Sequence, residues 1–370
     1  MSFQASTPPA SIARKSKTGL AVVALVILFC GSGVVEWFGW PVYAAVNAAV
    51  SLVFLGIIWR NRHTITWRRL PAWLVLLLLI TALSVASTSW VAPELTGAVT
   101  VWLVNYLLIS IIAFGIIATL PWNDFVRALG TALRWVLALS LLWELMGAVT
   151  GGGKLFSPAP IAGFSGSPDL LGLLGLVALG VFSTQLYDRT VWRSWGVVWI
   201  VLAVATIIAA RTEATLVAAI VVAIATGFAL WTRASSPLAR RGIYIVAAIT
   251  VSLAGLALGL WTALFGDIAL ITSWLAPRLP GGIVIALAFL LLCFGIMWRS
   301  WFIAVDRPQW DLDEQRPFTG ASLIPLMTTA AVMAQGVGEF GSAFEAGWAL
   351  VVILAVVVKT PQRITFPEVR

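Results

Sequence analysis

Basic residues fall almost entirely into every second gap between the apolar segments of this chain. Roughly twelve segments approach the ~20 residues that a helix needs to cross a bilayer. If the basic amino-terminal tail, residues 1–17, is cytoplasmic, alternation leaves only Lys154, Arg211 and Arg278 of the 23 Lys and Arg residues on the outer face. Cytoplasmic loops attract Lys and Arg because the membrane potential and the anionic inner leaflet oppose export of positive charge. The pattern predicts an orientation and singles out three cations that the orientation does not explain.

The composition excludes a soluble globular domain. Hydrophobic residues make up 61% of the chain, charged residues only 10%, and the mean hydropathy is +1.00. A lone span must pair its own backbone polar groups in hydrocarbon, which favours helices. We therefore predict one all-α, polytopic integral membrane domain over residues 1–370, with about twelve transmembrane helices. Both termini are expected in the cytoplasm, as short tails at 1–17 and 360–370.

Hydropathy places the spans only approximately. The expected spans are 18–38, 40–60, 71–90, 98–120, 130–150, 168–187, 195–210, 214–231, 242–265, 281–299, 320–338 and 346–359. Tryptophans such as Trp122 and Trp195 stand at segment ends and predict an aromatic belt at the headgroup level. The stretch from Pro121 to Trp135 predicts a short interfacial helix that leads into the fifth span.

Several classes of partner and cofactor are not expected. The sequence pI near 10.2 follows from the positive-inside bias, so it does not indicate a nucleic-acid partner. Cys30 and Cys293 lie inside apolar runs and are expected to pack there rather than form a disulfide. His63 is the only histidine and lies in an arginine-rich inner gap. Without a Cys/His cluster we expect neither a metal nor a cofactor.

Arg211 is the most informative of the three outer cations. It lies between the apolar runs IIAA and ATLVAA, at the outer membrane boundary between two spans. One interpretation is a side chain that snorkels to lipid headgroups. The alternative is an anion site, because a guanidinium pairs with phosphate through two parallel hydrogen bonds. Lys154, in a GGGK sequence without P-loop spacing, and Arg278, between prolines, are weaker candidates for the same anion.

Carboxylates lie in the same outer gaps. Asp169 opens a span in the run GSPDL, where an N-cap at the positive helix end is the simpler interpretation. Deeper burial in the membrane would cost roughly 2.5–3.5 kcal/mol and would require a partner such as Arg211 or Lys154. Glu213, Asp267 and Glu339 are further polar partners available to these cations.

Three stretches of the carboxyl-terminal half resemble, in the same order along the chain, three motifs of a known protein family. They begin at Gly163 (GFSGSPDLLGLLGLVALGVFSTQL), at Ala209 (AARTEATLVAAIVVA) and at Val332 (VMAQGVGEFGSAFEAGWALVVILAVVVK). They resemble, in that order, the Gly-rich loop before a helix, the Ser-Arg-Thr or Thr-Arg-Ser turn and the Glu-x-Gly-Trp ending of the O-antigen ligase and polymerase family. The likeness is to its actinobacterial branch.

The resemblance implies a fold of about twelve spans, related to that of lipid-linked glycosyltransferases, in a bacterial plasma membrane. Such proteins transfer a glycan from undecaprenyl pyrophosphate on the outer face to an acceptor hydroxyl. Arg211 would then contact the pyrophosphate, and Lys154 and Arg278 would add positive charge. The resemblance implies neither metal nor nucleotide.

Two departures from the family pattern concern catalysis. The family's large outer loop, with a histidine proposed to activate the acceptor, is reduced here to Gly266–Gly282 and has no histidine, and the family's Asn is Asp169. A positioned general base typically contributes ~10²–10⁴-fold to the rate. Glu213, Asp267, Glu339 and Glu345 are the available replacements. We therefore expect donor binding with weakened or absent turnover, beside other envelope-glycan assembly proteins.

Two other functions are compatible with the sequence. A transporter or flippase needs a polar path through the midplane, for which the candidates are Asn47, Asn105, Glu144, Gln185 and Gln335. A scaffold subunit needs no cluster of either kind. Clustering around Arg211 on the outer side would favour lipid-pyrophosphate binding, whereas clustering of the amides around a cavity would favour transport.

Overall fold

The computed structural model describes residues 9–63, 71–72, 74–75, 77–79, 82, 96–150, 160–236, 238–246, 282–305, 319–338 and 346–359. Within these residues the chain is helical and contains no strand. The helices are α1 (Pro9–Phe29), α2 (Gly31–Arg60), α3 (Thr96–Thr119), α4 (Trp122–Val149), α5 (Pro168–Tyr187), α6 (Arg193–Ala210), α7 (Glu213–Ala234), α8 (Gly282–Val305), α9 (Ile324–Gly338) and α10 (Ala346–Val357). Two 3-10 turns, Gly163–Ser165 and Gly320–Ser322, precede α5 and α9.

Five of the described helices, α2 and α4 to α7, are long and apolar enough to cross a membrane. Helix α5 is buried along most of its length, whereas α6 and α7 expose apolar side chains such as Val201, Ile208 and Ile224. Exposed apolar faces of this length suit contact with lipid. The all-helical prediction is confirmed for the described residues. The twelve spans and the cytoplasmic termini stay predictions.

Two predicted boundaries compare directly with the structure. Helix α2 is broken at Gly39 (φ 80°, ψ 165°), at the expected boundary between the first two spans. A backbone with positive φ suits glycine, which has no Cβ to collide with its carbonyl. The separate interfacial helix expected over 121–135 is wrong, because α4 continues without interruption from Trp122 to Val149. Trp122 is buried and donates its indole N–H to the Ala321 carbonyl, so it is not part of an aromatic belt.

Hydrogen bonds between helices define two ends of the bundle. The Asp188 end is where α5, α7 and α8 finish and where α4, α6 and α9 begin. There the Asp188 carboxylate accepts from the N–H groups of Gly320 (2.7 Å) and Ala321 (3.2 Å), and Arg233 donates to Ser322 (2.6 Å). The opposite Arg211 end is where α5 and α7 begin and where α4, α6 and α9 finish.

Arginines are distributed very unevenly between these ends. From residue 60 onward, the described arginines nearer the Asp188 end are Arg60, Arg62, Arg127, Arg134, Arg189, Arg193, Arg233, Arg240, Arg241 and Arg299. Among the described residues from 60 to 338, Arg211 is the only Arg or Lys at the Arg211 end. The alternation seen in the sequence therefore corresponds to a charge asymmetry along the bundle.

Candidate functional site

Arg211 occupies a sharp turn between two antiparallel helices. Helix α6 ends at Ala210, and Arg211 takes up the left-handed conformation (φ 50°, ψ 29°) with an exposed side chain. That conformation costs a non-glycine residue roughly 1–2 kcal/mol, and glycine is the usual residue at this position after a helix. The side chain is therefore present despite a conformational cost.

The residues after Arg211 cap the next helix. The Thr212 hydroxyl accepts the backbone N–H of Thr215 (3.3 Å), as an N-cap residue does, and donates to the Thr215 hydroxyl (2.6 Å). Thr215 is fully buried, and a Cβ on Gly172 of α5 would overlap its hydroxyl. Glycine at 172 thus lets α5 approach the first turn of α7 closely.

A buried amide on α9 joins the beginnings of α5 and α7. The Gln335 Nε2 group donates to the Asp169 carbonyl (2.8 Å) and to the Thr215 hydroxyl (3.0 Å). Gln335 is fully buried, and its Oε1 atom has no hydrogen-bond partner among the described residues. Three helices meet at this side chain, two of them by their amino-terminal turns.

The Gly-rich segment before α5 is packed into the bundle. The Glu144 carboxylate accepts the N–H of Gly163 (3.2 Å), and the Ser140 hydroxyl accepts the N–H of Phe164 (3.1 Å). A Cβ on Gly166 (φ 81°) would overlap the backbone nitrogen of Gly33. The described part of the predicted loop is therefore an ordered element pressed against α2 and α4.

The same segment adjoins the Arg211 turn. The N–H of Ile161 donates to the carbonyl of Ala209, one residue before the end of α6 (3.2 Å). The Arg211 end thus brings together an exposed guanidinium, an ordered glycine-rich segment and the first turns of α5 and α7. Amino-terminal turns carry partial positive charge, which together with the guanidinium suits an anion, and Asp169 and Glu213 in the same turns offset part of that charge.

The structure places three of the predicted site residues. Arg211 stands at the turn, Glu213 is the exposed first residue of α7, and Asp169 is a half-buried residue in the first turn of α5. The N-cap expected at Asp169 is wrong by two positions, because Ser167 occupies that place and Pro168 follows it. Asp169 still lies at the positive end of the helix dipole. Lys154, Arg278, Asp267, Glu339 and Glu345 lie outside the described residues.

The amides and carboxylate proposed for a transport path are dispersed. Asn47 donates to Asn105 (2.7 Å) between α2 and α3, and Gln185 lies near the Asp188 end, bonded to Val126 (3.3 Å). Glu144 and Gln335 belong to the Arg211 end, where each holds a local turn. These side chains do not converge on a common contact within the described helices.

The part played by Gln335 and Thr215 was not predictable from hydropathy. The sequence predicts Gln335 only as a candidate for a polar transport path, and no pattern in the sequence singles out Thr215. The one available signal was a long amide inside an apolar run, which must find partners in hydrocarbon.

No family model matches this chain, and neither a curated protein nor a solved structure matches it. The resemblance to O-antigen ligases therefore rests on the motifs alone. The geometry of the Arg211 end is the independent observation to set beside it.

Proposed function

We propose that this chain is an O-antigen ligase-like protein of cell-envelope polysaccharide assembly in a bacterial plasma membrane. In this proposal it crosses the membrane about twelve times and binds a glycan linked to undecaprenyl pyrophosphate on the outer face. The Arg211 end faces outward and the termini lie in the cytoplasm, because the arginine-rich Asp188 end belongs inside by the positive-inside rule.

One observation supports the proposal most directly. An exposed guanidinium, held in a left-handed turn, stands beside the amino-terminal turns of two helices, at the end of the bundle from which other described arginines are absent. A pyrophosphate presents two adjacent phosphoryl groups, which suit a guanidinium together with free backbone N–H groups. Snorkelling to headgroups accounts for the exposure of Arg211 but not for the convergence of α5 and α7.

The binding role is tested by replacing Arg211. Undecaprenyl pyrophosphate binding to purified protein is measured for wild type, Arg211→Ala and Arg211→Lys. We expect at least a tenfold loss for alanine, about 1.4 kcal/mol, and a smaller loss for lysine, which keeps the charge without the two-point geometry. The matched control is Arg189→Ala, since Arg189 has the same left-handed backbone (φ 52°) at the opposite end. Equal affinity for wild type and Arg211→Ala would remove the proposed role.

Turnover is a separate question within this proposal. We propose weakened or absent glycosyl transfer, since the chain has no histidine in its outer gaps. A carboxylate would have to act as the general base in place of that histidine. An assay of transfer from a labelled lipid-linked glycan, run with Asp169→Asn and Glu213→Gln, tests this. Transfer at a rate typical of intact ligases would contradict the weakened-catalyst proposal and leave the binding proposal in place.

A further inference from the structure

The Gln335 amide contributes contacts that local stability does not require. One of its two acceptors, the Thr215 hydroxyl, already has a partner in Thr212 at 2.6 Å. Its own Oε1 atom is buried without a hydrogen-bond partner among the described residues, which costs the free energy of removing that atom from water. An apolar residue of similar length would avoid that cost. The geometry that Gln335 imposes is therefore a better reason for its presence than the stability it supplies.

That geometry is a fixed spacing between two helix beginnings. One nitrogen atom, Gln335 Nε2, spans from the Asp169 carbonyl in the first turn of α5 to Thr215 in the first turn of α7. Thr215 in turn holds Thr212, the residue that follows Arg211. A chain of three hydrogen bonds therefore leads from α5 to the residue beside the guanidinium.

We propose that Gln335 is a positioning residue for the anion site: it sets the distance between the amino-terminal turns of α5 and α7 and the orientation of the turn that carries Arg211. This inference rests on the proposed function, because the site it positions is the pyrophosphate site. The groups that contact a ligand must be held in the correct geometry by the residues around them. Loss of the Gln335 bridge should therefore lower the affinity for the ligand without unfolding the protein.

The test compares two buried glutamines in the same bundle. Gln335→Met removes the bridge at the Arg211 end while keeping the length of the side chain. Gln185→Met removes a similar amide at the Asp188 end, where Gln185 accepts from Arg134 and donates to Val126 (3.3 Å). Both variants are measured for undecaprenyl pyrophosphate affinity and for thermal unfolding in detergent.

Opposite responses are expected from the two variants. Gln335→Met should lower the affinity three- to tenfold while its melting temperature stays close to that of wild type. Gln185→Met should lower the melting temperature, because a half-buried arginine loses its acceptor, while the affinity stays unchanged. Equal losses of affinity in both variants would show a general effect of packing and overturn the inference.

Thr215→Val tests the same bridge from its other end with little change in volume. We expect a similar loss of affinity. The double variant Gln335→Met/Thr215→Val should bind no more weakly than the single variant with the lower affinity, since both substitutions break the same chain of hydrogen bonds. This arm still decides the question if Gln335→Met fails to fold. Additive losses would contradict the proposed chain of bonds.

The outcomes separate this inference from the proposed function. If Arg211→Ala weakens binding but neither Gln335→Met nor Thr215→Val does, the positioning role is wrong and the pyrophosphate site stands. If Arg211→Ala binds as wild type does, both are wrong.

Discussion

The two ends of α6 offer a natural comparison, because each is flanked by an arginine in the same backbone conformation. Arg189 (φ 52°) precedes the helix and Arg211 (φ 50°) follows it, and they are the two non-glycine residues with positive φ in the described chain. Each pays the conformational cost of a left-handed backbone. Their surroundings differ in almost every other respect.

The Asp188 end uses charged groups to hold its turns. Asp188 accepts two backbone N–H groups that precede α9, Arg233 donates to Ser322, and Arg134 donates to Gln185. At the Arg211 end, the neutral side chains of Thr212, Thr215 and Gln335 hold the turn, and a carboxylate, that of Glu144, holds the neighbouring Gly163. Arginine side chains hold turns at the Asp188 end, whereas at the Arg211 end the proposed role of the arginine is to bind a ligand.

The largest expected effect concerns the backbone contact at the Arg211 end. Gly166→Ala would place a Cβ in the backbone of Gly33 and force alanine into positive φ. Neither can relax cheaply, so we expect a loss of several kcal/mol or failure to fold. Thermal unfolding in detergent measures it, with Gly227→Ala as the control, because nothing lies within 4 Å of a Cβ on Gly227. Equal stability of the two variants would show that the glycine-rich segment is not packed as described.

The next effect concerns the carboxylates of α5's two ends. Asp188→Ala leaves the N–H groups of Gly320 and Ala321 without their acceptor and should cost about 2–3 kcal/mol. Asp169→Ala should change stability much less, because the described structure gives the Asp169 side chain no comparable bonds. The measurement is again the melting temperature. A larger loss for Asp169→Ala would reverse the comparison between the ends.

Arginines can be compared in the same way. Arg233→Met removes the bonds to Ala304 and Ser322 and should lower stability by about 1.5 kcal/mol. Arg211→Met should lower the melting temperature less than Arg233→Met does, since the Arg211 side chain is exposed and Thr212 and Thr215 hold its turn. Should Arg211→Met unfold as readily as Arg233→Met, the guanidinium at the Arg211 end would be structural rather than a ligand-binding group.

The sequence predicts the two helices beside the Arg211 turn well, for a physical reason. Apolar length and the placement of basic residues are large, additive signals, so 195–210 and 214–231 lie close to the observed Arg193–Ala210 and Glu213–Ala234. The Arg211 turn followed from the same signals. The α4 prediction failed because the polar residues near Trp122 looked interfacial, whereas tertiary contacts with the turn before α9 bury that tryptophan.

The bridges between helices were not predictable from one sequence. Gln335 lies 166 residues from Asp169 and 120 from Thr215, and hydropathy carries no information about which helices become neighbours. Asp188 is not predictable as a structural residue because a carboxylate at a helix end suggests only a solvated loop. Periodicity indicates that a polar residue needs a partner, but only the packing of the helices identifies it.

The smallest expected effect is also the sharpest test of the comparison. Replacing either left-handed arginine by glycine relieves roughly 1–2 kcal/mol of backbone strain but adds about 0.4–1 kcal/mol of unfolded-state entropy. Arg189→Gly and Arg211→Gly should therefore each raise stability by between about 0 and 1.6 kcal/mol, as a slightly higher melting temperature. Their binding should differ: Arg211→Gly loses undecaprenyl pyrophosphate and Arg189→Gly keeps it. If Arg211→Gly is more stable than wild type but no longer binds, the arginine occupies its strained position because it binds the ligand. If Arg211→Gly is less stable than wild type, the arginine side chain itself holds the turn.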